Sequence, residues 1–259
     1  MGRVLVLAAA LVVAACSPTQ SPSLLDEVTG RDYVAHAIPA YRLKAELVVA
    51  PEDIDLSIDR RVFLRDVFDR VVTGDTHQAR VESWVRFLQN RIAHSAHPPM
   101  HPDGVMLTDP VWILRNRVAH CGQTNRVLID GLTAAGYRAR AVQLTSHVAA
   151  EVFYDDNWHF IDADWLNNGQ FIRRPDGTLP STAEIFEHPE YLAGLDTNSE
   201  FRDYPADVGY RNYQAYADMF RRVDLGNGIL TPYYMTKIAG PEAERDLTFG
   251  WNFYQVETQ

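Results

Sequence analysis

Apolar residues along this chain are spaced as in helices over its first half and as in strands near its centre. Val81, Trp84, Val85, Leu88 and Ile92 fall at i, i+3, i+4, i+7 and i+11, one buried face of an amphipathic helix. Asp75 or Thr76 can cap that helix, and it runs to about Ile92. Upstream, Asp59 to Val72 places Phe63, Val67 and Val71 on one helical face, with Gly74 as the stop. Asp109-Pro110 reads as a cap followed by proline at the first helical position, opening a helix with Val111, Trp112 and Leu114. A further helix starts at Cys121, carries Val127, Leu128, Leu132 and Ala135, and stops at Gly136. The period then changes. Arg138 to Leu144 (RARAVQL) and His147 to Tyr154 (HVAAEVFY) read as strands. Asp155-Asp156-Asn157 is a turn, and Trp158 to Ile161 completes a hairpin. Ser181 and Glu184 form a capping box ahead of Ile185, Phe186 and Leu192.

The N-terminus departs from this pattern. Arg3, the apolar run Val4 to Val13 and the sequence Val13-Ala14-Ala15-Cys16 resemble a bacterial lipoprotein signal. The run is too short for a bilayer span, which needs about 20 residues. Residues 1–15 are therefore expected to be removed, with Cys16 lipidated. Residues 16–31 read as a Ser/Pro-rich flexible tether and 32–259 as a single domain with its core at about 110–166. Ser17 after the cysteine points to outer-membrane sorting in a Gram-negative organism. Removing Arg3 leaves 23 Lys+Arg against 34 Asp+Glu, or −11, which argues against a nucleic-acid partner.

The chain has two cysteines, so lipidation of Cys16 leaves Cys121 as a lone thiol. Cys121 sits in a first helical turn, where orphan N–H groups and the helix dipole favour an anion. His147 starts one predicted strand and Asp162 follows its hairpin partner. Nucleophile, base and orienter are thus assigned to Cys121, His147 and Asp162. Asp164 has the same strand parity as Asp162, so register decides between them. The dipole is too weak to ionise the thiol alone; a protonated His147 in contact would supply the rest and keep Cys121 reactive well below pH 7. His94, His97 and His101 invite a metal reading, but Pro98, Pro99 and Pro102 break any helix there. They are expected in a polar loop near the cleft. No metal or cofactor is expected. The aromatics from Tyr204 to Tyr254 suit either a packing layer or sugar-stacking platforms.

The stretch HCGQTNRVLIDGLTAAGYRARAVQLTSHVAAEVFYDDNWHFIDAD resembles the core of the transglutaminase-like superfamily. The matching residues are Cys121, Gly136, His147 with Glu151, Trp158 and Asp162. Ala119-His120 stands where that family often has a glycine before its cysteine, and the zinc-binding cysteine pairs of the peptide N-glycanase branch are missing. The resemblance implies an α+β fold: a papain-like core with the nucleophile helix packed on an antiparallel sheet, a helical N-terminal half and a mixed C-terminal extension. It also implies acyl chemistry on a protein, peptide or glycan substrate of the cell envelope, by hydrolysis or transfer. The Cys121 backbone N–H would meet the oxyanion together with Gln123, His120 or Asn116. The rival expectation is a non-catalytic envelope module binding peptide or polysaccharide, or an exopolysaccharide assembly factor.

Overall fold

A computed structural model describes residues 23–30, 46–95, 97–166, 169–195, 217–221, 233–237 and 254–257. The signal segment, Cys16 and most of the C-terminal aromatics lie outside these residues. Among the described residues, no helix is long and apolar enough to cross a membrane.

Helices dominate the first half. Helix α1 (Leu24–Thr29) is capped by Ser23, whose hydroxyl accepts from the Asp26 N–H while Asp26 reaches back to the Ser23 N–H. Helix α2 (Arg60–Val71) is capped by Asp59, and α3 (His77–Arg91) by Thr76. Helix α4 (Pro110–Asn116) has Asp109 as its cap and proline at its first position. Helix α5 (Cys121–Ala134) ends before Gly136, whose φ of +92° is the left-handed value that lets the chain leave a helix. Helix α1 corrects one expectation. Within the stretch assigned to the tether, residues 24–29 are helical, with Val28 fully buried and Arg91 donating to the Glu27 carbonyl at 2.8 Å.

Short strands β1 (Ala93–His94) and β2 (Val118–Ala119) pair in parallel. A five-stranded antiparallel sheet is formed by β3 (Arg138–Leu144), β4 (His147–Tyr154), β5 (Asn157–Ile161), β6 (Tyr233–Lys237) and β7 (Tyr254–Glu257), in the order β5-β4-β3-β6-β7. Asp155 and Asp156, both at positive φ, make the two-residue turn between β4 and β5. Helix α6 (Thr182–Glu187) follows, with the Ser181/Glu184 capping box in place.

The apolar side chains form two clusters. One joins Phe63, Val67, Val81, Trp84, Val85 and Leu88 of α2 and α3 to α5 and to Ala141, Ala150, Val152 and Ile161 of the sheet. The other joins Val142, Leu144, Ala149 and Phe160 to Trp165, Ile185 and Phe220. Each large side chain taken fully out of water contributes about 1.5–3 kcal/mol. Helix α5 is the central element, and the one-sided burial predicted for it is exceeded: residues 121 to 132 are all buried. Several of its polar residues are paired inside, as with Arg126 and Asp130 at 2.7 Å. At Gly131 an added methyl carbon would lie 2.3 Å from the Trp84 ring, so this glycine lets α5 approach α3 closely.

Candidate active site

Residue 120 leaves helical geometry (φ −87°, ψ 166°), and its N–H donates to Gln123 Oε1 at 2.8 Å. Cys121 is thereby the first residue of α5. Its thiol is almost buried, 6% exposed, and Sγ lies 3.1 Å from His120 Nδ1.

His147 opens β4 opposite Leu144, across a turn whose Ser146 takes φ +61°. Its Nε2 lies 2.7 Å from Asp162 Oδ2, and neither side chain is exposed. The β4–β5 register pairs Ala150 with Ile161. Continued, that ladder would set Ala149 against Asp162 and His147 against Asp164. It stops at Ile161, and the chain bends. In the bend Asp162 Oδ1 accepts the N–H groups of Asp164 at 2.8 Å and Trp165 at 3.2 Å, leaving Oδ2 for the imidazole.

Two amides hold this arrangement from neighbouring helices. Asn125, one turn after Cys121, donates to the Val148 carbonyl at 2.7 Å and the Cys121 carbonyl at 3.1 Å. Its Nδ2 also lies 3.4 Å from Asp162 Oδ1. Gln89 of α3 donates to the Asp162 carbonyl at 3.2 Å. Neither was singled out from sequence, since an amide on a helix gives no signal of a long-range partner.

Burial alone would push the Cys121 thiol up, but hydrogen bonds from His120 and His147, with the charge on His147, bring it down to about 7. His147 is pushed the other way. Burial disfavours its cation, yet the Asp162 carboxylate and the thiol raise it to about 10. A thiolate–imidazolium pair therefore persists between about pH 7 and about pH 10. Burial opposes both charges, and the partners outweigh it in each case.

The three oxyanion candidates separate. Gln123 is fully buried, and its amide nitrogen donates to the Pro99 carbonyl at 2.9 Å and to the Leu107 carbonyl. It braces the 99–107 loop instead of facing the thiol. Asn116 donates to Trp112 O at 2.9 Å and lines a separate cavity of about 330 Å³ with Trp112, Arg115 and Asp53. Only His120 stands at the sulfur.

The His94 region also differs from expectation. His94 is not in a polar loop: it lies in β1, buried, with Nδ1 2.8 Å from Asp164 Oδ1. Among the described residues, no group of three or more His, Cys, Asp or Glu side chains is arranged to hold a metal ion.

No protein-family model and no curated protein matches the chain. Among the solved structures that resemble it are a TGase (TM-score 0.36), a candidate cysteine protease from Cytophaga hutchinsonii (0.35) and a candidate protease from Parabacteroides distasonis (0.35), each at 16% identity. The matches cover 48%, 53% and 56% of this chain, and 37%, 50% and 27% of those chains. The chain thus spans half or less of the length of each. Likenesses this loose establish nothing about the reaction.

Proposed function

We propose that this chain is a thiol-dependent acyl-chemistry enzyme, an amide or ester hydrolase or an acyl transferase, built on a papain-like, transglutaminase-like core. The observation that carries the reading is a single buried imidazole serving two partners. His147 binds Asp162 through Nε2 at 2.7 Å, and the charge on the same ring acts on the Cys121 thiol at the start of a helix, lowering its pKa. Cys121 Sγ attacks the substrate carbonyl, and the new oxyanion is met by N–H groups of the first turn, which have no partner within a helix. As the tetrahedral adduct collapses, His147 gives its proton to the leaving amine or alcohol and a thioester remains. Water or an amine then attacks the thioester, His147 takes its proton, and the thiolate is released. Asp162 holds the imidazole orientation throughout.

The activated ester p-nitrophenyl acetate tests this reading. The folded chain is expected to release a burst of p-nitrophenolate and to carry an acetyl group on Cys121 by mass spectrometry, and Cys121→Ala to do neither. No adduct on a folded protein would remove the enzyme reading. A binding module or glycan assembly factor would give neither the burst nor the acetyl group on Cys121.

We place this chemistry in the cell envelope, with the domain held at the membrane by lipid on Cys16. The support is the lipobox-like sequence alone. Cys16→Ala is expected to abolish incorporation of a fatty-acid analogue and membrane anchoring; equal labelling of the variant would end the lipoprotein reading.

A further inference from the structure

A second imidazole–carboxylate pair stands beside the same sulfur. Both Asp164 oxygens lie close to His94 Nδ1, at 2.8 and 2.9 Å, with both side chains almost fully buried. The His94 ring packs on that of His120, centroids 5.1 Å apart and tilted by 44°. His120 Nδ1 in turn lies 3.1 Å from Cys121 Sγ. Carboxylate, imidazole, imidazole and thiol thus follow one another in space, as Asp164, His94, His120 and Cys121.

Main-chain bonds set each of these positions. Ala93 N–H donates to the Arg117 carbonyl at 2.8 Å and Ser95 N–H to the Ala119 carbonyl at 2.7 Å, so β1 runs beside the residues that lead into His120. Asp164 is fixed by the bend in which its N–H caps Asp162. The bend therefore supplies one carboxylate to each histidine pair. The two imidazoles at the sulfur differ in one respect. His147 is sealed, only 1% exposed, whereas His120 is half-buried and reaches solvent.

We propose that His120 is a second catalytic histidine, held by the His94–Asp164 pair, and that it moves the Cys121 proton between the sulfur and solvent. The proposal rests on Cys121 being the nucleophile. In the step, the S–H bond breaks, sulfur keeps the electron pair and the proton passes to His120 Nδ1. The imidazolium then loses a proton to water, leaving the thiolate paired with His147. His94 and Asp164 are positioning residues. The ionisable groups that act on His120 are Cys121, His147 and Asp164, and the His94 ring packs on it. Burial disfavours the His120 cation, while the thiol and the Asp164 charge favour it and His147 opposes it; the outcome is a raised pKa.

The test is the rate of Cys121 alkylation by iodoacetamide against pH, on the folded chain and on His120→Ala, His94→Gln and Asp164→Asn. His120→Ala is expected to move the midpoint up from about 7 by about a unit, slowing alkylation at pH 6 by about tenfold, with the rate at pH 10 unchanged. His94→Gln should move it the same way by less; Asp164→Asn also removes a charge that raises the thiol directly, so it should move the midpoint up by less still or not at all. His94→Gln keeps the test alive if the buried Asp164 variant does not fold. An unchanged midpoint in folded His120→Ala overturns the proposal. So does a shift there with none in folded His94→Gln. A wild-type midpoint at or above about 8.5 is a different failure, since it removes the nucleophile reading itself.

Discussion

In His147→Ala, alkylation of Cys121 at pH 7 is expected to fall by at least about tenfold, because the thiol loses its main positive neighbour while staying buried. The wild-type thiol sits at about 7, so half of it is thiolate at neutral pH. An ordinary cysteine, at about 8.5, is only a few per cent thiolate there. Without His147, the hydrogen bond from His120 is left to work against burial, and the midpoint should rise by more than a unit. Turnover should fall further, since positioned acid–base groups contribute about 10²–10⁴-fold. The sign of the pH profile follows from the two partners. Wild-type turnover should rise through about pH 7 as the thiolate forms, and fall through about pH 10 as His147 loses the proton it must give to the leaving group. A variant profile that overlays the wild type would mean that His147 does not act on this sulfur.

Arg60→Met should lower stability by about 3–5 kcal/mol, the usual cost of stranding one member of a buried ion pair. Arg60 donates through Nε and Nη2 to Asp109 Oδ2, at 3.0 and 2.6 Å, and the two side chains are 7% and 1% exposed. Asp109 has a second duty: its Oδ1 accepts the Trp112 N–H at 2.8 Å and caps α4, the helix that leads the chain toward Cys121. In Arg60→Met that carboxylate stays buried without its counter-charge. The double variant Arg60→Met/Asp109→Asn removes the stranded charge and keeps a good cap, so it should recover most of the loss. Urea denaturation measures all three chains. A loss below about 1 kcal/mol in the single variant would show that water already reaches Asp109.

Much of the path to the thiol was legible in the sequence because it is local. The i, i+3, i+4 spacing of Val81, Trp84, Val85 and Leu88 gave α3, and Asp109-Pro110 gave the start of α4. The strands bearing His147 and the hairpin turn lie where their residues placed them. Strand parity alone does not separate Asp162 from Asp164; the family resemblance matches Asp162, and the bend after Ile161 turns it toward His147. What escaped the sequence is what depends on distant pairing. His94 looked like part of a proline-broken polar run, because two-residue strands such as β1 and β2 carry no periodicity. Gln123 looked like a free donor, because nothing local tells that the carbonyls of Pro99 and Leu107 fold over it. The Ser23–Asp26 capping box was visible and was masked by the Ser/Pro composition around it.

The contact of Gly131 with Trp84 has a mechanical consequence. Ten residues of helix, about 15 Å, separate that glycine from Cys121. The Trp84 indole fills the notch that the missing side chain leaves and donates to the Leu128 carbonyl at 3.2 Å. The indole works as a key in a slot: α5 can neither slide along its axis nor rotate without lifting the ring out. The azimuth of the sulfur is therefore also set from the far end of the helix.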